Sequence, residues 1–153
     1  MLQTYNEEND AINGLFREQW ILDPDEPMSG ELSPIAWEGI DFERPKDAEG
    51  RLLDYVALHI VNGEAQRIGY GSPGSNLCRH PGIIVVKIFA GHGLGTAESR
   101  ALQLGDRFCQ IFKSNQILTG VVFQAPYIRK IGENPDKMYQ VNGFCPFTRD
   151  NYS

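Results

Sequence analysis

Gly82-Ile-Ile-Val-Val-Lys-Ile-Phe-Ala-Gly-His-Gly-Leu-Gly-Thr-Ala-Glu-Ser-Arg-Ala-Leu-Gln-Leu-Gly-Asp-Arg-Phe-Cys-Gln-Ile-Phe112 passes from a strand-type apolar run through a glycine-rich turn into an amphipathic helix. The apolar period switches from 2 to 3.6 within a few residues. Ile83 to Phe89 is apolar on both faces apart from Lys87, the pattern of a central strand. Beyond the turn, Ala97, Ala101, Leu104, Phe108 and Ile111 form one seam, with Arg100, Gln103, Arg107 and Gln110 turned the other way. This predicts a helix from Thr96, its N-cap, to Lys113, roughly 27 Å long at 1.5 Å per residue. Gly105 inside it costs about 1 kcal/mol relative to alanine, which points to close packing there.

The flanking segments fill in the rest. Thr4-Tyr-Asn-Glu7 has the form of a capping box. Ile12, Leu15, Phe16 and Trp20 then recur at helical spacing, giving a first helix over 4–20 that Asp23-Pro24 ends. Asp23 to Pro34, with Pro24, Pro27, Gly30 and Pro34, reads as an extended surface loop. Strands are expected at 35–42 and at 53–61, where Val56, Leu58 and Ile60 alternate with Tyr55, Ala57 and His59. Residues 65–70 extend a hairpin, 69–80 form a flexible loop, and strands at 120–129 and 138–147 close the chain. Trp20 and Trp37 are expected in the core. The sum is a single α+β domain over residues 1–153, a mixed, mostly antiparallel sheet with two main helices packed against it.

Composition narrows the function. The 153 residues carry 14 basic and 20 acidic side chains, a net charge of −6, which disfavours a dedicated nucleic-acid binder. Residues 1–50 hold 13 acids against Arg17, Arg44 and Lys46, or −10; residues 51–153 hold 11 bases against 7 acids, or +4. Such a split suits acidic and basic surfaces of neighbouring copies facing each other. Cys78, Cys109 and Cys145 are odd in number and widely spaced, as expected of reduced thiols in a cytosol-made protein. No signal peptide is expected from the Met1-Leu-Gln-Thr start, and the longest apolar run, Ile83 to Val86, is too short to cross a bilayer.

Three chemical readings weigh little. Gly91-His-Gly-Leu-Gly-Thr96 lies between strand and helix, where a helix N-terminus attracts phosphate. Its spacing fits neither the dinucleotide fingerprint nor a P-loop, so glycines serving positive φ angles in a tight crossover are the better account. Cys78-Arg-His80 with His92 or Cys109 lacks the paired spacing of a zinc site. Cys78 as a nucleophile beside His80 or His59 has no orienting carboxylate. No catalytic residue, cofactor or metal is assigned.

The pattern Arg79-x-x-Gly82-Ile-Ile-Val-Val-Lys-Ile-Phe89-x-x-x-Gly93-x-Gly95, followed by Ala97, Ala101, Leu104 and Asp106, resembles the central block of the tail-terminator (tail-completion) proteins of long-tailed bacteriophages. The helix with Trp20, the Trp37 strand and the closing segments Val121-Val-Phe-Gln-Ala-Pro126 and Tyr139-Gln-Val-Asn-Gly-Phe-Cys-Pro-Phe147 extend the likeness over most of the chain. The resemblance implies a small subunit that forms a hexameric ring at the tail–neck junction of the virion, made in the host cytoplasm. The ring caps the tail tube, ends its polymerisation and offers a docking surface to the head connector. Its partners would be itself, the tail-tube protein and the connector or stopper protein, with DNA passing through the lumen, no membrane and no sequence-specific nucleic acid. It implies neither catalysis nor cofactor. Alternatives are a head-closure adaptor, a tail-tube subunit, or a small phosphate- or nucleotide-binding enzyme using the Gly91–Thr96 loop.

Two sets of residues are candidates for contact. Arg67, Tyr70, Arg79 and His80, in or beside the glycine loop, form a partner-contact surface, because recognition often resides on loops. Arg100 and Arg129 are candidates for the ring interface, facing the acidic first third of a neighbour.

Overall fold

The computed structural model describes residues 4–91 and 96–152, arranged as one α+β domain: a mixed, mostly antiparallel sheet with two helices against it. Helix α1 covers Tyr5–Gln19 and α2 covers Ala97–Ser114. The strands are β1 (Ile35–Trp37), β2 (Tyr55–Asn62), β3 (Gln66–Gly69), β4 (Leu77–Ala90), β5 (Ile117–Leu118), β6 (Val121–Phe123), β7 (Tyr127–Glu133) and β8 (Tyr139–Tyr152).

Two strands of 14 residues, β4 and β8, pair antiparallel along their whole length and form the spine. Each carries two shorter strands in tandem on its outer side. β2 and β3 lie against successive parts of β4, and β7 and β6 against successive parts of β8. β1 adds to β2 in parallel, and β5 adds to β6. Prolines mark both hand-overs. Pro81 falls between the part of β4 paired with β2, ending at Gly82, and the part paired with β3, beginning at Arg79. Pro146 falls between Phe144, opposite Tyr127, and Phe147, opposite Phe123. In an antiparallel ladder the N–H and C=O of one residue point to the same side. The Pro81 carbonyl accepts from the Gly63 amide and the Pro146 carbonyl from the Gln124 amide. The missing proline N–H therefore faces the outer flank in both strands, where the ladder breaks. That is how a central strand tolerates proline.

The helices share one face. Ile12, Leu15, Phe16 and Trp20 of the first helical segment meet Ala101, Leu104, Phe108, Ile111 and Phe112 of α2 over Val56, Leu58, Ile84, Val86, Ile88, Val141, Cys145 and Phe147 of the sheet. Phe16 stacks on Trp20 at 4.9 Å and meets the Phe108 ring at 6.4 Å. Gly105 and Gly143 bring α2 close to the sheet. A methyl on Gly105 would sit 3.1 Å from Ile128, and one on Gly143 would sit 2.7 Å from both Phe108 and Val86. The close packing expected at Gly105 is present.

Several boundaries differ from the sequence expectation. The 35–42 strand stops at Trp37, because the chain turns through Gly39 at φ 77°. Trp37 is only half-buried, with the Arg17 guanidinium 4.8 Å from its ring centre, whereas Trp20 is fully buried and its indole N–H donates to Ser33. The flexible loop expected over 69–80 is shorter, since β4 begins at Leu77 and pairs with β8 from there. Thr4 Oγ1 accepts from the Glu7 amide at 3.1 Å, as a capping box requires, but the Glu7 carboxylate takes the Thr4 hydroxyl proton rather than its backbone N–H. Thr96 is the N-cap of α2 without a side-chain bond to it.

Candidate functional site

β-strand alternation sends every second side chain to the face the helices leave bare. On that face the cross-strand register sets Val61, Ile83 and Pro146 in one row and His59, Val85, Phe144 and Tyr127 in the next. Tyr127 and Phe144 stack at 5.2 Å. A third row holds Ala57, Lys87, Asn142 and Arg129. Beyond it Tyr55 and Phe89 stack at 4.8 Å, and Phe42, ahead of β2, packs against Tyr55 with ring centres 5.4 Å apart. Burial there pushes the Tyr55 phenol upward in pKa. Val61 and Tyr127 are exposed, and Ile83, Val85, Phe144 and Pro146 are half-exposed; at the Tyr55 end Arg44 lies beside the phenol and pairs with Asp136 at 2.9 Å. The result is a contiguous apolar and aromatic strip beside two cations. Lys87 is exposed with no ion-pair partner among the described residues, and Arg129 lies 5.9 Å from the Phe144 ring.

The four residues placed in the glycine loop separate. Arg67 pairs with Cys78 just before the register shift in β3, and its guanidinium lies 5.9 Å from the ring of Tyr70, which is 86% exposed. Arg79 and His80 stand in β4 instead. Arg79 donates twice to Asp150 opposite it on β8, at 2.9 and 2.8 Å. That bidentate pair holds the Asp150 carboxyl below its usual pKa and the Arg79 guanidinium above its own. His80 Nδ1 lies 3.1 Å from the Tyr5 hydroxyl and its Nε2 3.0 Å from Asn151 Oδ1. The extended pairing of β4 with β8 carries both out of the loop: His80 helps fasten α1 to the sheet, while Arg79 makes a cross-strand pair on the face away from the helices.

At the centre of that fastening is a buried ion pair between α1 and β8. Arg149 of β8 is 1% exposed and Glu8 of α1 is 0% exposed, with Nε donating to Oε1 at 2.9 Å. Asn62 donates to the other carboxylate oxygen at 2.8 Å, and the Arg149 guanidinium lies 5.2 Å from the Tyr5 ring. No local signal could have revealed it, since the two charges are 141 residues apart.

Of the two ring-interface candidates, Arg129 stays on the bare sheet face, while Arg100 is engaged within the subunit. Arg100 Nε donates to Asp54 at 3.0 Å, and the other Asp54 oxygen accepts from the Gly91 amide at 2.8 Å. Beside them Leu32, Pro34, Leu52 and Leu53 line a cavity of about 350 Å³. Its second arginine, Arg51, is held by Asp47 and Glu49 at 2.9 and 2.8 Å, so each guanidinium there already faces carboxylate. This is poor ground for a phosphate. Gly91 is needed not for a positive φ but because a side chain would meet the Leu52 carbonyl oxygen at 2.4 Å. The rest of the glycine turn, His92, Gly93, Leu94 and Gly95, lies outside the described residues.

Among the described residues no His, Cys, Asp or Glu group of three or more is placed to hold a metal ion, and no helix is long and apolar enough to cross a membrane. Cys78 lies on β4 and Cys109 on α2, and burial raises the Cys109 thiol. Burial, helped by Cys109, pushes the Cys145 thiol up to about 12.

The other surface element is the connection after α1. Residues 21–31 close on themselves: Ile21 bridges Glu31, the Leu22 amide donates to Gly30, and Glu26 and Ser29 make successive turns. Ser29 Oγ accepts from the Asp23 amide at 2.9 Å and donates to the Asp23 carbonyl at 3.2 Å. The expected extended loop is thus a tied knob. It displays Met28, 95% exposed, and Leu22, 60% exposed, among Asp25, Glu26 and Glu31.

No protein-family model matches this chain, and no curated protein matches it in sequence.

Proposed function

We propose that the chain is a phage tail-terminator subunit, closing into a homo-hexameric ring that caps the tail tube, ends its polymerisation and receives the head connector. The observation that carries this reading is the bare sheet face, with its apolar strip of Val61, Ile83, Val85, Phe144, Pro146 and Tyr127. Monomers seldom leave a contiguous apolar patch of this kind in water, and such patches mark interaction surfaces. Among the described residues, β1, β3, β5 and β7 each have one strand partner, so their outer edges add places where a neighbour's strand can continue the sheet. The segregated charge and the resemblance of the 79–106 block give the same direction. Arg67 on β3 and Tyr70 just after it, both exposed, are suited to the axial contact with tube or connector.

Electron microscopy of the purified protein tests the reading, together with tube assembly in its presence. A terminator gives single closed rings of fixed size and stops tube growth at substoichiometric amounts. Open stacks of rings would assign a tube subunit instead, and a monomer with no effect on tube growth would refute assembly at the tail.

A further inference from the structure

We infer that the acidic knob 22–31 of one subunit docks on the bare sheet face of the next copy; this rests on the ring reading above and names the two surfaces that make its seam. The knob and the face match in both chemistries. Met28 and Leu22 supply apolar area without a covering group in their own subunit, and the strip around Val85 and Phe144 is apolar area of the same kind. Around Met28 stand Asp25, Glu26 and Glu31; beside the strip stand Lys87 and Arg129. Opposed charge fixes the register of such a contact, while the apolar centre supplies its strength.

The knob is pre-formed. Its prolines, Pro24 and Pro27, and the Asp23–Ser29 bonds hold the shape before any partner arrives, so little ordering entropy opposes docking. An unbranched thioether at its tip adapts to an irregular apolar surface.

Geometry makes the contact one-way. Pro24 and Pro27 line a depression with Arg17 of α1 and Arg107 of α2, which puts the knob on the helix side of the subunit. The strip is on the opposite side of the sheet. A copy therefore cannot return the same contact to the neighbour that receives its knob, and each subunit has one donor surface and one acceptor surface. Head-to-tail contact of this sort generates a ring when its rotation closes.

Two variants test the pairing. Asp25→Lys with Glu26→Lys spoils the knob; Lys87→Glu with Arg129→Glu spoils the face. All four positions are on the surface, and thermal melts matching the unsubstituted protein establish that both variants fold. Each alone should assemble at least about tenfold more weakly by mass photometry at low salt, since like charges then oppose across the seam. Mixing the two restores association, because the intact knob of one meets the intact face of the other. Met28→Ser should weaken assembly at any salt concentration, whereas the charge effects fade above the Debye screening range of roughly 0.1 M. Closed rings formed equally well by both variants separately would overturn the knob-on-face contact and leave the ring reading standing. Association restored by mixing, but only into open chains, would uphold the contact and overturn the ring. An unsubstituted protein that stays monomeric overturns both.

Discussion

Replacing Glu8 by alanine asks how much one buried charge governs the position of the first helix. Glu8 and Arg149 are sealed from solvent and joined at 2.9 Å. Removing the carboxylate leaves the guanidinium in the interior without its counter-charge, which costs about 3–5 kcal/mol. For a domain of this length each kcal/mol lowers the melting temperature by about 2–4 °C, so a fall of roughly 6–20 °C is expected by circular dichroism. The loss is a large part of the about 5–15 kcal/mol that holds such a domain folded. The same physics gives a second, opposite expectation. Glu8→Leu with Arg149→Met removes both charges and retains volume, and buried pairs exchanged this way for apolar groups are often neutral or stabilising. Asn62 then loses an acceptor but is exposed and turns to water. The double variant should therefore melt well above Glu8→Ala. A single variant within about 2 °C of the parent would refute the argument that an uncompensated charge dominates here. So would a double variant as labile as the single one.

Other expectations concern packing, protonation and thiols. Gly143→Ala presses a methyl against Phe108 and Val86 at 2.7 Å and should cost about 1–3 kcal/mol in urea denaturation, without loss of secondary structure. Arg79 holds the Asp150 carboxyl below the unfolded value of about 3.9, so this pair stabilises above that pH and loses its contribution as pH falls through the lower folded pKa. Urea midpoints measured between pH 7 and pH 2 should accordingly decline less steeply in Asp150→Asn. Cys145 is buried with its thiol raised to about 12, so an aromatic disulfide reagent at pH 8 should leave it unmodified in the native protein and label it in denaturant.

Local pattern was enough for the helices and for the existence of most strands. Thr4, Trp20, Ala97 and Phe112 fall where capping residues and the 3.6-residue period place them. The strand following Val56, Leu58 and Ile60 was readable for the same reason, since its alternation is set by one covered face. What escaped was pairing over distance. Leu77 to His80 sit next to a glycine- and proline-rich stretch that reads as loop, but residues 149–152 of β8 recruit them into a ladder about 70 positions away in sequence. Arg149 looks like a surface cation until Glu8 is brought beside it. The apolar run 83–89 suggested a strand covered on both sides, and Lys87 was the only mark that one side is bare. Of the contact candidates, Tyr70 and Arg129 keep exposed surface, whereas Arg79 and Arg100 are held by Asp150 and Asp54. A single sequence gives no means of telling a bound arginine from a free one.

The spine has a temporal consequence. β8 follows every other described element along the chain, yet it occupies the middle of the sheet and supplies Phe144 and Pro146 to the bare face. During synthesis, α1 has no counter-ion and β4 has one flank bare until residues 139–152 leave the ribosome. A translation product halted earlier possesses an acidic knob but no surface to receive one. If the knob docks on a neighbour's sheet face as inferred above, such a product would cap an assembly without extending it, and its unsheathed β4 would make it a target for chaperones and proteases.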